Sequence, residues 1–244
     1  MLKQFNEKDF YILKEVSQNR LKPAGIIVFS FGAMFYSGIM TLVFWNAVRG
    51  LTLETNFWTN IMNVMYVLLF IQFVLTIFFA SDKRAYKYQK AQSYFLAAIS
   101  LKISVEVYLL YFLACADRGA PTYMTTVGVF FLGGGFVFLF LSIIRAINRV
   151  KQGEFKENGR GIFNYKESKG YVNIPIIYAA TIFGGLLARA IPSMGLSAVG
   201  ELIFPLILSV FMQYVIAIAW PEFLLLAYCK KRFPSFNYIP AKYR

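Results

Sequence analysis

Lys102 and Glu106 stand four residues apart inside an otherwise apolar stretch, a spacing that puts a cation and an anion on one helical face. Such a pair can neutralise itself as a static structural contact, relay an ion or proton, or anchor a charged substrate. A charge deep in a membrane is expensive and normally faces a bundle interior or a water-filled cavity. If the helix begins nearer Ala98, Lys102 lies one turn in, and its long stem can carry the ammonium out to the head groups instead. Spacing alone leaves all three alternatives open.

The remaining polar candidates are scattered. Arg189 and Glu201 flank one predicted loop and are placed to pair across it, while Glu222 follows Pro221 and can meet a loop cation. Asn46, Asn60, Asn63, Gln72 and Gln213 fall within apolar stretches, where amides more often bridge helices than touch a ligand. The run Gly133-Gly134-Gly135 either lets helices approach closely or opens a hinge that exposes backbone carbonyls. A last group lies in a polar segment. Asn158-Gly159, flanked by Phe155, Phe163 and Tyr165, has the pattern of a hairpin turn that requires positive φ, and it offers a docking surface for a partner protein.

What is missing excludes more chemistry than these residues suggest. The chain has no histidine, which removes His-based metal sites, Ser-His and Cys-His couples and histidine proton relays. Gly195-Leu-Ser197-Ala-Val-Gly200 misses the spacing of a nucleophile elbow by one residue, and no phosphate-binding GxxxxGK[ST] loop occurs. The aspartates Asp9, Asp82 and Asp117 all fall at or beyond the ends of apolar stretches. No catalytic residue, metal or cofactor is expected, and the reading is non-enzymatic.

The elements that position these residues are set by hydropathy. Of 244 residues, 58% are hydrophobic, against about 45–50% in a soluble domain. The excess gathers into six blocks, residues 24–48, 58–80, 93–116, 122–144, 172–191 and 202–229. Each is close to the ~20 residues that a helix needs to cross a bilayer. None shows the period-two alternation of a barrel strand. The expected fold is therefore all-α: a polytopic membrane bundle of about six transmembrane helices. Its domains are an N-terminal segment 1–23, either an amphipathic surface helix or a solvated tail with some helix, a membrane domain 24–229 with a long loop at 145–171, and a basic tail 230–244. Asn6 and Asp9 form a capping signal ahead of the stripe Phe10, Leu13, Val16. A helix break is expected at Trp220/Pro221.

Charge sets the orientation. Of 25 Lys and Arg, 21 fall in residues 1–23, 81–92, 145–171 and 230–244, which six spans bring to one side. Basic loops stay in the cytoplasm, so both termini are expected there, in a plasma (inner) membrane. The net charge of +13 thus reads as topology, with the lipid bilayer as partner and no nucleic acid. Cys115 and Cys229 fall at opposite ends of their spans, too far apart for a disulfide.

Two functions fit. One is a transport-type component, a small permease subunit or channel. The other is a membrane partner protein that binds another membrane protein or a toxin, as immunity, exclusion or assembly factors do.

Overall fold

The computed structural model describes residues 2, 4–50, 55–162 and 198–237. Their secondary structure is all helical. A single 3₁₀ turn, Glu7–Phe10, leads into α1 (Tyr11–Gln18). There follow α2 (Pro23–Gly50), α3 (Thr55–Ala80), the short α4 (Asp82–Lys87), α5 (Gln89–Asp117), α6 (Thr122–Lys151) and α7 (Ala198–Arg232). Five of these, α2, α3, α5, α6 and α7, are long and apolar enough to cross a membrane. The block at residues 172–191 lies outside the described residues, as do Arg189, Phe163 and Tyr165.

The helix α5 is the centre of the bundle. It packs along α7 over most of its length, along α2 on another side and against part of α6. Its buried residues run all round the helix, from Gln89 to Cys115. The helix α3 is peripheral: it leans on α2 and meets α5 only sparingly. Its outward residues, such as Val67 and Phe70, are 58% and 67% exposed, as a lipid-facing surface requires.

Contacts bring the basic segments to one end of the bundle. Gln92 Nε2 donates to the Pro23 carbonyl at 3.0 Å, Arg20 pairs with Glu222, and Arg232 Nη1 donates to the Leu2 carbonyl. At the opposite end, Arg118 after α5 pairs with Glu201 in the first turn of α7.

The basic end is closed by a protein cap rather than by lipid. Phe10 and Leu13 are fully buried against Val150, Phe155, Leu226, Cys229 and Phe236. The capping signal holds as far as the Asn6 N–H, which donates to Asp9 Oδ2 at 2.8 Å. The apolar stripe does not lie on the membrane surface, however. It is covered instead by Ala146 and Val150 of α6, by Leu225, Leu226 and Cys229 of α7, and by the rings of Phe155 and Phe236 that follow these helices.

Two further expectations are corrected. The helix α7 runs unbroken through Pro205 and Pro221. Packing on α5 holds it on both sides of Pro221, where Trp220 Nε1 donates to the Ala97 carbonyl at 2.7 Å and Ala217 and Leu225 are buried. The Asn158-Gly159 pair does not turn a hairpin, since the described residues 151–162 form successive turns without a strand. Here α6 ends in a Schellman motif: Gly153, at φ 77°, donates to Val150 O, and Glu154 N–H donates to Arg149 O at 3.0 Å. That motif folds the chain back and drives Phe155 inward. Gly159 has ordinary φ; it is required because a Cβ there would stand 2.1 Å from the Glu154 carbonyl oxygen.

Candidate functional site

The middle of α5 carries the polar site. Lys102 is the fourteenth of the 29 residues of α5, and its side chain is 14% exposed, while that of Glu106 is 5% exposed. The two form the ion pair their spacing allows. Lys102 Nζ also donates to Ser37 Oγ of α2 at 2.9 Å and to Gln72 Oε1 of α3 at 2.8 Å. Ser37 Oγ in turn donates to Glu106 Oε2 at 2.7 Å. An ammonium has three N–H donors, and here each has an acceptor: a carboxylate, a hydroxyl and an amide. The ammonium is thus held inside the bundle and does not snorkel to the head groups.

Three helices meet at this network, and each contributes a side chain that the apolar background would otherwise exclude. Placing a charge here requires a compensating partner, since an unpaired ion in low dielectric costs several kcal/mol. Within the network one atom is left over: the Gln72 Nε2 amide is buried without a hydrogen-bond partner.

The network borders a cleft. Because α3 leans away from α5, a cavity of about 610 Å³ separates them, lined by Lys102, Glu106 and Gln72 among apolar residues. Val64, Leu68 and Ile71 line its α3 wall and are 58%, 42% and 47% exposed, so the cleft opens sideways towards the membrane. A second cavity of about 500 Å³ lies between α2, α5 and α7, with Asp117 and Arg118 at its rim.

The other candidates are dispersed. Glu201 pairs with Arg118, a partner that sequence proximity to Arg189 obscured, and Glu222 pairs with Arg20 from the N-terminal segment. Both carboxylates are thereby far from Lys102, one at each end of the bundle. The glycine triplet stays helical within α6, so no carbonyl-exposing opening is seen there. Gly135 is instead a packing site. Gln213 of α7 inserts against it, donating through Nε2 to the Leu132 carbonyl at 3.1 Å and accepting at Oε1 from Tyr108 O–H at 2.9 Å. Of the docking group, Phe155 is 1% exposed and belongs to the basic-end cap, whereas Asn158 is exposed. No group of metal-ligating side chains occurs among the described residues.

Sequence reasoning missed Ser37, a single hydroxyl in an apolar helix. It missed Gln72 as a partner of Lys102, although Gln72 was one of the few amides in the spans. No protein family, no curated protein and no solved structure matches this chain.

Proposed function

We propose that the protein is a transport-type component of a membrane, whose solute enters the cleft between α3 and α5 and engages the polar centre built on Lys102 and Glu106. The observation that carries this is the coincidence of the two features. The only buried charge pair midway along the described spans borders a laterally open apolar cavity of about 610 Å³. An apolar cleft with a small convergent polar cluster is the usual form of a binding site. The shape suits an amphiphile, with apolar body in the cleft and polar group at Gln72 and Glu106.

Six spans fit this reading. The chain passes Ile162 at the basic end and Ala198 at the opposite end, and residues 172–191 supply a further apolar block. The basic end is then cytoplasmic, and the cap of α1, the end of α6 and the end of α7 faces the cytosol.

The test is transbilayer movement of a fluorescent acyl-chain amphiphile in proteoliposomes, for wild type and for Lys102→Met with Glu106→Leu. Replacing both charges keeps the volume and removes the need for compensation. Movement in wild type that the double variant loses, at equal thermal stability, supports the proposal. Equal movement in both, or none above protein-free vesicles, ends it.

The saturation of Lys102 favours a second reading, in which the network is a structural clamp and the protein acts by binding another membrane protein. Co-purification in mild detergent separates the two: the clamp reading expects a stoichiometric membrane partner that the double variant retains.

A further inference from the structure

At the basic end, on the opposite side of the bundle from that cleft, a second groove runs between α6 and α7. Phe138, Leu141, Ser142, Arg145 and Arg149 follow one another at helical spacing along a single face of α6, and Ile218 and Pro221 of α7 form the facing wall. The enclosed volume is about 340 Å³. The order of these residues is graded along the helix: apolar first, then a hydroxyl, then two guanidinium groups. From Phe138 to Arg149 the rise is roughly 16 Å at 1.5 Å per residue, which covers the upper acyl chain and the phosphate layer of one leaflet.

Among the described residues, no carboxylate neutralises either guanidinium. The Arg145 side chain is exposed and makes no hydrogen bond or ion pair among the described residues. Arg149 uses one nitrogen, Nη1, on the carbonyls of Gly161 and Ile162 at 2.9 and 2.7 Å, and has no ion pair among the described residues. Those carbonyl bonds fix the Arg149 side chain in place without cancelling its charge. The carboxylate of Glu222, next in sequence to the lining residue Pro221, is already taken by Arg20. The anchored guanidinium of Arg149, the exposed one of Arg145 and the Ser142 hydroxyl, on one face of α6, form a receptor for a phosphate, because the planar fork matches phosphate geometry.

We infer that the groove between α6 and α7 binds one anionic phospholipid, its phosphate on Arg145, Arg149 and Ser142 and its acyl chain along Phe138, Leu141 and Ile218. Charge complementarity and the position of the groove at the basic end of apolar spans identify the occupant. Basic pockets between helices on the cytoplasmic side recognise anionic head groups in this way. The inference is independent of the transport proposal, since it uses neither α3 nor the Lys102 network.

Native mass spectrometry of the delipidated full chain, titrated with dioleoylphosphatidylglycerol or dioleoylphosphatidylcholine, tests it. Wild type should hold one phosphatidylglycerol in preference to phosphatidylcholine. Arg145→Gln should weaken that lipid about fivefold, the loss of one cation at the surface. Arg145 is exposed and has no partner among the described residues, so the substitution is expected to leave thermal stability unchanged. Ile218→Trp, which fills the groove from α7, should weaken the lipid without changing any charge. The control is Lys83→Gln with Lys90→Gln, two exposed cations at the same end but away from the groove. Equal retention of both lipids, or a control that loses as much as Arg145→Gln, would overturn the site in favour of diffuse attraction to the basic surface. Glycerol phosphate that competes as well as the intact lipid would overturn it in favour of a soluble ligand.

Discussion

The side-chain amide of Gln213 fills the space that a Cβ on Gly135 would occupy, with its Oε1 1.9 Å from that position. The amide cannot simply swing aside, because Tyr108 O–H and the Leu132 carbonyl hold it from two other helical positions. Gly135→Ala should therefore cost about 1–3 kcal/mol, either as overpacking or as a buried tyrosine hydroxyl left unpaired. Gly133 faces open space, with nothing within 4 Å of its missing Cβ. Gly133→Ala should leave stability unchanged or raise it by about 1 kcal/mol, the propensity difference in a helix. Thermal unfolding in detergent of the two variants side by side measures the contrast. Equal behaviour would mean that the triplet acts through backbone flexibility rather than through this contact.

Lys102→Met should destabilise the fold by about 3–5 kcal/mol, because it strands the Glu106 carboxylate in the bundle interior. Adding Glu106→Leu should recover most of that loss. The single and double variants form a double-mutant cycle read by denaturation, and additive effects would deny the coupling.

Phe10 and Phe155 belong to one buried cluster at the basic end, 10 and 155 being far apart in sequence but both almost completely covered. The Ile12 N–H also donates to the Phe155 carbonyl at 3.0 Å. Truncating either ring to alanine should cost about 3–5 kcal/mol of local stability. The readout is hydrogen exchange at residues 10–18, which should accelerate in both variants. If Phe155→Ala leaves exchange in α1 untouched, the cap is not a cooperative unit.

Acid should loosen the same cap. The Lys14 side chain, then that of Ser235, hydrogen-bonds the Glu7 carboxylate and holds its pKa below the ordinary glutamate value. A carboxylate with a depressed folded pKa binds its proton less readily when folded than when unfolded. Its contribution is complete above the unfolded value of about 4.3 and is lost as the pH falls through the folded one. Glu7 is substantially exposed, so the effect is local and small. Tryptic cleavage at Lys14 compared at neutral pH for wild type and Glu7→Gln should show the variant cut faster, and a matching acid sensitivity in wild-type hydrogen exchange should vanish in Glu7→Gln.

Topology has a direct check. Cysteines at Lys83, Asn158 and Tyr123, introduced without Cys115 and Cys229, should label from the two sides. Lys83 and Asn158 should react from the cytoplasm and Tyr123 from outside. Labelling of Asn158 from outside would reverse the orientation.

Five of the six expected spans were legible because length and hydropathy are local quantities, and the Lys102–Glu106 pair because four residues on a helix is a local distance. Its other partners were not legible: Ser37 and Gln72 lie 65 and 30 positions from Lys102, on different helices, and only packing brings them together. The same limit explains the partner of Glu201. The end of α5 delivers Arg118 to it, while Arg189, nearer in sequence, lies outside the described residues. Phe155 misled for another reason, since an aromatic ring in a polar loop reads the same whether it waits for a partner or is already folded under. Proline at 221 signalled a stop that neighbouring helices override.

The pairing of Lys102 with Glu106 has an electrical consequence. A membrane potential does work of about 2.3 kcal/mol per elementary charge for each 100 mV crossed. A cation and an anion that move together carry no net charge, so the field has nothing to pull on. Arg118 with Glu201 and Arg20 with Glu222 are likewise matched at the two ends. Voltage alone therefore exerts little net force on these three matched pairs.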